Sequence, residues 1–345
     1  MDFSIPIDQT AGAKAKIDSD TIFKASGYKS LFSHHIQTNK VYINKILNII
    51  LGIISLTFIK KGSVITTNYP PNLIDKKIVW SYLYKIKRIK KIKLIILIHD
   101  LDFIRNNDND SNQEKKYIEQ LDVADAIIVH NTKMIDLLVE KGLSKDKLID
   151  LKIFDYLADI RSSGGSYGNK FIVAGNLDIQ KSQYLSKISK IDGVYFNLYG
   201  PGYNQNDYDN DKSKYYGSFP SESIPNVIQG SYGLVWDSED LQGGVGPYGD
   251  YQRYNNPHKT SLYLAAGFPV VVWKKAALAP FIVENNLGFV VDNLYELHSK
   301  IEKLSEDEYN RMKLNVKEIG QKIYSGYFLN EALKKAETVI EENKL

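Results

Sequence analysis

The sequence predicts an α/β protein built from two doubly wound domains in tandem. Three observations carry that prediction. Short apolar runs alternate with amphipathic stretches along the whole chain. The apolar runs are continuous, as in KLIILIHD (93–100) and FPVVVW (268–273), which marks strands of a parallel sheet covered on both faces. The pattern also restarts after the Gly/Ser-rich RSSGGSYGN (161–169), and 345 residues exceed one ordinary domain while suiting two. Two Rossmann-like domains facing a cleft are expected.

In the first domain, residues 1–160, DFSIPI (2–7) reads as a strand and AKAKIDSDTIFKASGY (13–28) as an amphipathic helix stopped at Gly27. Residues 41–60 read as a helix, SVITTNYPP (63–71) as a strand, 74–90 as a helix and KLIILIHD as the next strand. NNDNDSNQ (106–113) is a polar loop before the helix EKKYIEQLD (114–122) and the strand ADAIIVHN (124–131). Asn131 or Thr132 suits the N-cap of the helix KMIDLLVEKG, which Gly142 ends. KLIDLKIFD (147–155) closes this half.

The second domain, residues 161–327, opens with the strand KFIVAGN (170–176) and a helix over DIQKSQYLSKIS (178–189). The strands VYFNLYG (194–200) and KYYGSF (214–219), the helix SESIPNVIQ (221–229) and the strand SYGLVW (231–236) follow. A glycine-rich loop over 238–253 suggests a segment that orders on substrate binding. Then come a helix over 258–266, the strand FPVVVW, the helix ALAPFIVENN (277–286), the strand GFVVD (288–292) and terminal helices.

Composition removes several classes of function. The chain has no cysteine, so disulfides, thiolate metal sites and cysteine nucleophiles are excluded. No charged segment, apolar core and small-residue cleavage site opens the chain, so a cytoplasmic location is expected. ILNIILGIISLTFI (46–59) would rise about 21 Å as a helix, short of a hydrocarbon core of about 30 Å, and is expected to be buried, with interfacial contact as the alternative. Residues 1–150 hold 23 Lys and Arg against 17 Asp and Glu, much of the excess lying in KIKRIKKIK between Lys85 and Lys93. That stretch is either a solvated helix end or a contact for an anionic membrane at its inner face. No aromatic residues interleave with it as a base-stacking platform requires, so nucleic acid is not expected.

Ligands of open parallel sheets bind beyond the carboxyl ends of the strands, so the residues there are the site candidates. Gly175 and Asn176 follow the first strand of the second domain, with Lys181 inside the next helix; a glycine there lets backbone N–H groups approach a phosphate. Tyr199 ends the next strand, within NLYGPGY (197–203), and suits contact with a flat base. Trp236 and Asp237 follow another. YNNPHKTSLYLAAGFPVVVW (254–273) places His258 and Lys259 in the first turn of a helix, where the dipole repels cations. A diphosphate there would satisfy the free N–H groups, the dipole and Lys259 together. In the first domain, HDLD supplies His99, Asp100 and Asp102 at a strand end, groups able to take a proton from an acceptor hydroxyl. As a metal set they are weak, and no metal is expected.

AAGFPVVVWKKAALAPFIVENNLGFVV (265–291) resembles the donor-domain segment of GT-B glycosyltransferases. VAGNLDIQKSQYL (173–185), NLYGPGY, YYGSFPSESIPNVIQGSYGLVWD (215–237) and YNNPHKTSLYLAAGFPVVVW are similar to a bacterial group of galactofuranosyltransferase-type and glucosyltransferase relatives that assemble polysaccharides and glycoproteins. IHDLDFIR (98–105) and VADAIIVHNTKMIDLLVEKG (123–142) extend the likeness into the first half. The resemblance implies a UDP-sugar donor, a hexose (glucose or galactofuranose/galactose), a carbohydrate, lipid-linked or glycoprotein acceptor, and no cofactor. It implies Tyr254, Asn256, His258, Lys259 and Ser261 as donor contacts, and Asp8 and Thr10 in DQTAG (8–12) as acceptor contacts. It also implies that residues 328–345 form a helix returning to the first domain. Many such enzymes carry a ribose-binding glutamate where this chain has Leu262. The rival readings are a UDP-sugar epimerase of the same fold and a non-catalytic sugar-binding or partner subunit; a homo-oligomer is compatible with any of them.

Overall fold

The computed structural model describes residues 11–29, 41–70, 76–105, 111–162, 164–207 and 211–342, which form two parallel sheets in succession along the chain. The expected strand over 2–7, with Asp8 and Thr10, and the loop residues 106–110 lie outside the described residues. The first lobe runs α1 (Ala11–Ala25), α2 (Val41–Phe58), β1 (Val64–Tyr69), α3 (Lys76–Lys90), β2 (Lys93–Ile98), α4 (Asp102–Arg105), α5 (Ser111–Asp122), β3 (Ala126–Val129), α6 (Thr132–Glu140) and β4 (Leu148–Asp150). Its strands pair in parallel in the order β1-β2-β3-β4. Period-two geometry divides these strands between two cores. Leu94, Ile96, Ile98, Ile127 and Val129 join the cluster under α2 and α3, while Ile95, Leu97, Ala126 and Ile128 face the opposite one. Asn131 caps α6, its side chain accepting from the Met134 N–H at 3.0 Å.

The second lobe runs β5 (Lys170–Ala174), β6 (Tyr195–Tyr199), β7 (Ser213–Tyr215), β8 (Tyr232–Val235), α7 (Gly246–Tyr251), α8 (His258–Ala265), β9 (Val270–Trp273), α9 (Ala279–Glu284), β10 (Gly288–Val291), α10 (Leu297–Glu302) and α11 (Glu306–Tyr324). The sheet order is β10-β9-β8-β5-β6-β7, again all parallel. Two expected helices are shorter and tighter than the sequence suggests. Residues 178–189 contain only 3-10 turns, Gln183–Lys190, because Asn176 and Asp178 side chains accept the backbone N–H groups of Asp178 and Gln180, holding the chain in local turns. Over 221–229 a single 3-10 turn, Ile224–Asn226, forms around Pro225, which has no N–H to donate. Gly233 lets α8 approach the sheet: a Cβ there would sit 2.2 Å from the Tyr263 ring. Leu262 is buried in the same core.

The final helix, α12 (Tyr327–Glu342), packs on β3, β4 and α1 of the first lobe. Its start is held by Asp155, from the segment after β4, whose carboxylate accepts the N–H groups of Phe328 (3.1 Å) and Leu329 (2.7 Å). Burial pushes the Asp155 carboxyl up to about 7, against the lowering effect of those two bonds. The folded value exceeds the unfolded one, so the contribution is complete below the unfolded value and lost as pH rises through 7. The advantage of the parent over Asp155→Asn is therefore expected to shrink by about 3 kcal/mol between about pH 4.5 and 7.5. Urea titrations at the two pH values check this; an unchanged gap would show that the carboxyl titrates normally. Among the described residues, no helix is long and apolar enough to cross a membrane.

Candidate functional site

The carboxyl ends of the two sheets meet at a joint made largely by residues 251–261. The Asn256 side chain donates to the carbonyls of His130 (2.6 Å) and Lys152 (2.9 Å) and accepts from Asn131 Nδ2 at 2.7 Å. Asn131 Nδ2 also donates to the Tyr254 carbonyl, and the Leu101 N–H donates to the Tyr251 hydroxyl at 2.9 Å. Ser261 Oγ donates to the Phe154 carbonyl at 2.7 Å, and His258 Nε2 to that of Asp155 at 3.2 Å. The Phe154 ring stands among His99, His130 and His258, with centroids 5.4, 4.8 and 6.1 Å away. His130 Nδ1 accepts the Asn256 N–H at 2.9 Å, which leaves Nε2 to donate to the Ile98 carbonyl, a neutral imidazole. Burial lowers both His130 and His258 to about 4.

Six donor-contact candidates and one catalytic candidate are engaged in packing or in the joint instead. Asn256, His258 and Ser261 tie the lobes together instead of lining the donor side, and His258 is no cation: it stacks on Tyr156 with centroids 5.0 Å apart. Tyr254, half-buried, packs against the first-lobe core. His99 is buried, its Nε2 donating to Asn68 Oδ1 at 2.8 Å, and burial holds it well below its ordinary value. Tyr199 is fully buried, stacked on Tyr216, and its hydroxyl accepts the Gln229 N–H at 3.0 Å. The Trp236 indole is likewise buried and donates to the Asp240 carbonyl at 3.0 Å. Both rings are core.

The other candidates stand at the carboxyl ends of the strands and in the turns that follow them. Lys259, in the first turn of α8, sits 2.6 Å from Asp237 Oδ1. An internal carboxylate thus supplies the anion that the helix dipole calls for. Gln252, buried beside them, receives the Asp237 N–H at 3.4 Å, and its Nε2 has no partner among the described residues. Gly175 (φ +150°) is half-buried, with open space where a Cβ would stand, and its N–H is already donated to the Tyr199 carbonyl at 3.0 Å. Asn176 and Lys181 are exposed, and the Lys181 ammonium lies 5.4 Å from the Tyr248 ring centroid.

The first lobe presents Asp100 and Asp102, both held by Arg105. Its guanidinium reaches Asp100 Oδ2 at 2.8 Å and Asp102 Oδ1 at 2.6 Å. Burial raises the Asp100 carboxyl, with Asp102 adding to the rise while Arg105, Lys16 and Lys181 oppose it. Sequence reading missed Arg105, Tyr248, Gln252 and Lys16. Arg105 was legible, standing three residues after Asp102 on one helical turn; the other three are brought in by tertiary packing. Among the described residues, no group of three or more His, Cys, Asp or Glu is placed to hold a metal ion.

The fold is that of the GT-B class, and the relatives make the chain a glycosyltransferase. The model of the glucosyltransferase 3-like N-terminal domain matches residues 6–153, and that of the C-terminal domain matches residues 171–336. The chain belongs to the glucosyltransferase 3-like family. It is 32% identical to the β-1,6-galactofuranosyltransferase WbbI of Escherichia coli strain K12, over 97% of this chain and 96% of the relative. A glycosyltransferase structure from Rickettsia africae is similar with a TM-score of 0.59 at 12% identity, covering 97% of each chain. A UDP-forming α,α-trehalose-phosphate synthase from Burkholderia xenovorans is similar with a TM-score of 0.52 at 11% identity, covering 94% of this chain and 86% of that one.

Proposed function

We propose that the chain moves a hexose, glucose or galactofuranose/galactose, from a UDP-sugar to a carbohydrate or glycosylated acceptor in surface polysaccharide or glycoprotein synthesis, without a metal. The likeness to WbbI supports the galactofuranose form and the family as a whole the glucose form. The observation that carries the reading is the Asp237–Lys259 pair at the start of α8, with the exposed Asn176 and Lys181 on the same lobe.

In this reading the donor diphosphate takes the place beside Lys259 that Asp237 fills in its absence. Lys259 and Lys181 then offset the charge that grows on the diphosphate as its bond to the sugar breaks, the role a divalent cation plays elsewhere. Asp100 takes the proton of the acceptor hydroxyl as that oxygen bonds to the anomeric carbon, and Arg105 holds its orientation. A carboxyl raised by burial is a stronger base than a solvated one.

Thermal stability across a panel of nucleotides tests this. UDP at about 100 times its dissociation constant is expected to add about 2.7 kcal/mol, more than GDP, ADP or NAD, and Lys259→Ala is expected to lose the gain. A variant that responds to UDP as the parent does would remove the phosphate role of this lysine.

A further inference from the structure

One face of the first lobe has no part in the cleft. Along α2, Ile46, Ile50, Ile54 and Phe58 recur every four residues and are 46%, 47%, 47% and 80% exposed. Beside them on α3, Ile78 and Ile89 are 49% and 63% exposed. The two helices pack side by side, the Thr57 and Tyr82 hydroxyls 2.6 Å apart. A row of large apolar side chains in water at helical spacing is a stripe made for something apolar.

Cations edge this stripe at one end. Within KIKRIKKIK, three of the six are internal staples: Lys87 and Lys93 pair with Asp125 at 2.9 and 3.2 Å, and Lys90 donates to the Thr57 and Ile59 carbonyls at the end of α2. Lys85, Arg88 and Lys91 are exposed, as are Lys60 and Lys61 in the loop after α2. The Gly62 N–H donates to the Lys90 carbonyl at 2.9 Å, which brings that loop against the end of α3. Neither residues 41–63 nor residues 76–93 contain an Asp or Glu.

We infer that this face of α2 and α3 docks on an anionic lipid bilayer. The apolar stripe enters the boundary between headgroups and acyl chains, and Lys60, Lys61, Lys85, Arg88 and Lys91 meet the headgroups. Charge selects lipid over a second copy of the chain. A two-fold contact through this face would set five cations against five with no acidic residue on either helix. α2 and α3 both end at the amino edge of the sheet, so docking leaves the cleft at the carboxyl edge open to its substrates.

Co-sedimentation of the full chain with vesicles tests the inference, and it does not depend on the donor. The chain is expected to sediment with phosphatidylcholine vesicles that contain phosphatidylglycerol, not with phosphatidylcholine alone, and salt is expected to release it. The pairs Ile54→Ser with Phe58→Ser, and Lys60→Glu with Lys61→Glu, are each expected to lower binding at least about tenfold. Both pairs should keep the parent melting temperature, which separates lost docking from lost fold. Equal binding to both vesicles, binding to neither, or variants that sediment like the parent would overturn the inference. A dimer dispersed by Phe58→Ser would also overturn it, in favour of self-association.

Discussion

Asp100→Asn is expected to lower kcat roughly 10²–10⁴-fold while the UDP-dependent gain in melting temperature persists. The substitution keeps the shape of the side chain and an oxygen for Arg105, so the first-lobe surface should stay as it is. What it removes is the capacity to take a proton. Asp100 is the better placed of the two carboxylates, because burial raises its pKa. Asp102 lies on the flank of the same Arg105 fork, so Asp102→Asn should cost much less. Single-turnover kinetics with a UDP-hexose separates chemistry from binding. Turnover within a few-fold of the parent would remove Asp100 from the mechanism.

The second large effect falls on stability. Asn256→Ala is expected to lower the unfolding free energy by about 3 kcal/mol, because it strands the His130 and Lys152 carbonyls and one Asn131 N–H in a buried joint. Asn255 next to it is the control. Its Oδ1 is buried without a partner among the described residues, so Asn255→Ala should change stability by no more than about 0.5 kcal/mol. Urea unfolding reads both. A loss below about 1 kcal/mol for Asn256→Ala would mean that water replaces the amide without penalty.

Much of the architecture was legible because its causes are local. Continuous apolar runs such as LIILI and VVVW mark strands whose two faces are both covered, and the Asn131 cap follows from side-chain chemistry within three residues. The helices expected at 178–189 and 221–229 were misjudged where Asn176, Asp178 and Pro225 favour tight turns over a full helix. At the site, the sequence marks Lys259 as a cation in need of an anion. The anion at hand is Asp237, 22 residues earlier, and only folding brings it there. His258 misleads for a related reason. An imidazole at a helix start reads as a cation, yet Tyr156, Phe154 and the Asp155 carbonyl, brought from the other side of the linker, make a setting in which only the neutral ring fits.

The return of α12 to β3 and β4 bears on how the molecule is made. The lobe that leaves the ribosome first lacks one of its covering layers until residues 327–342 emerge, and Asp155 waits for the N–H groups of Phe328 and Leu329 until then.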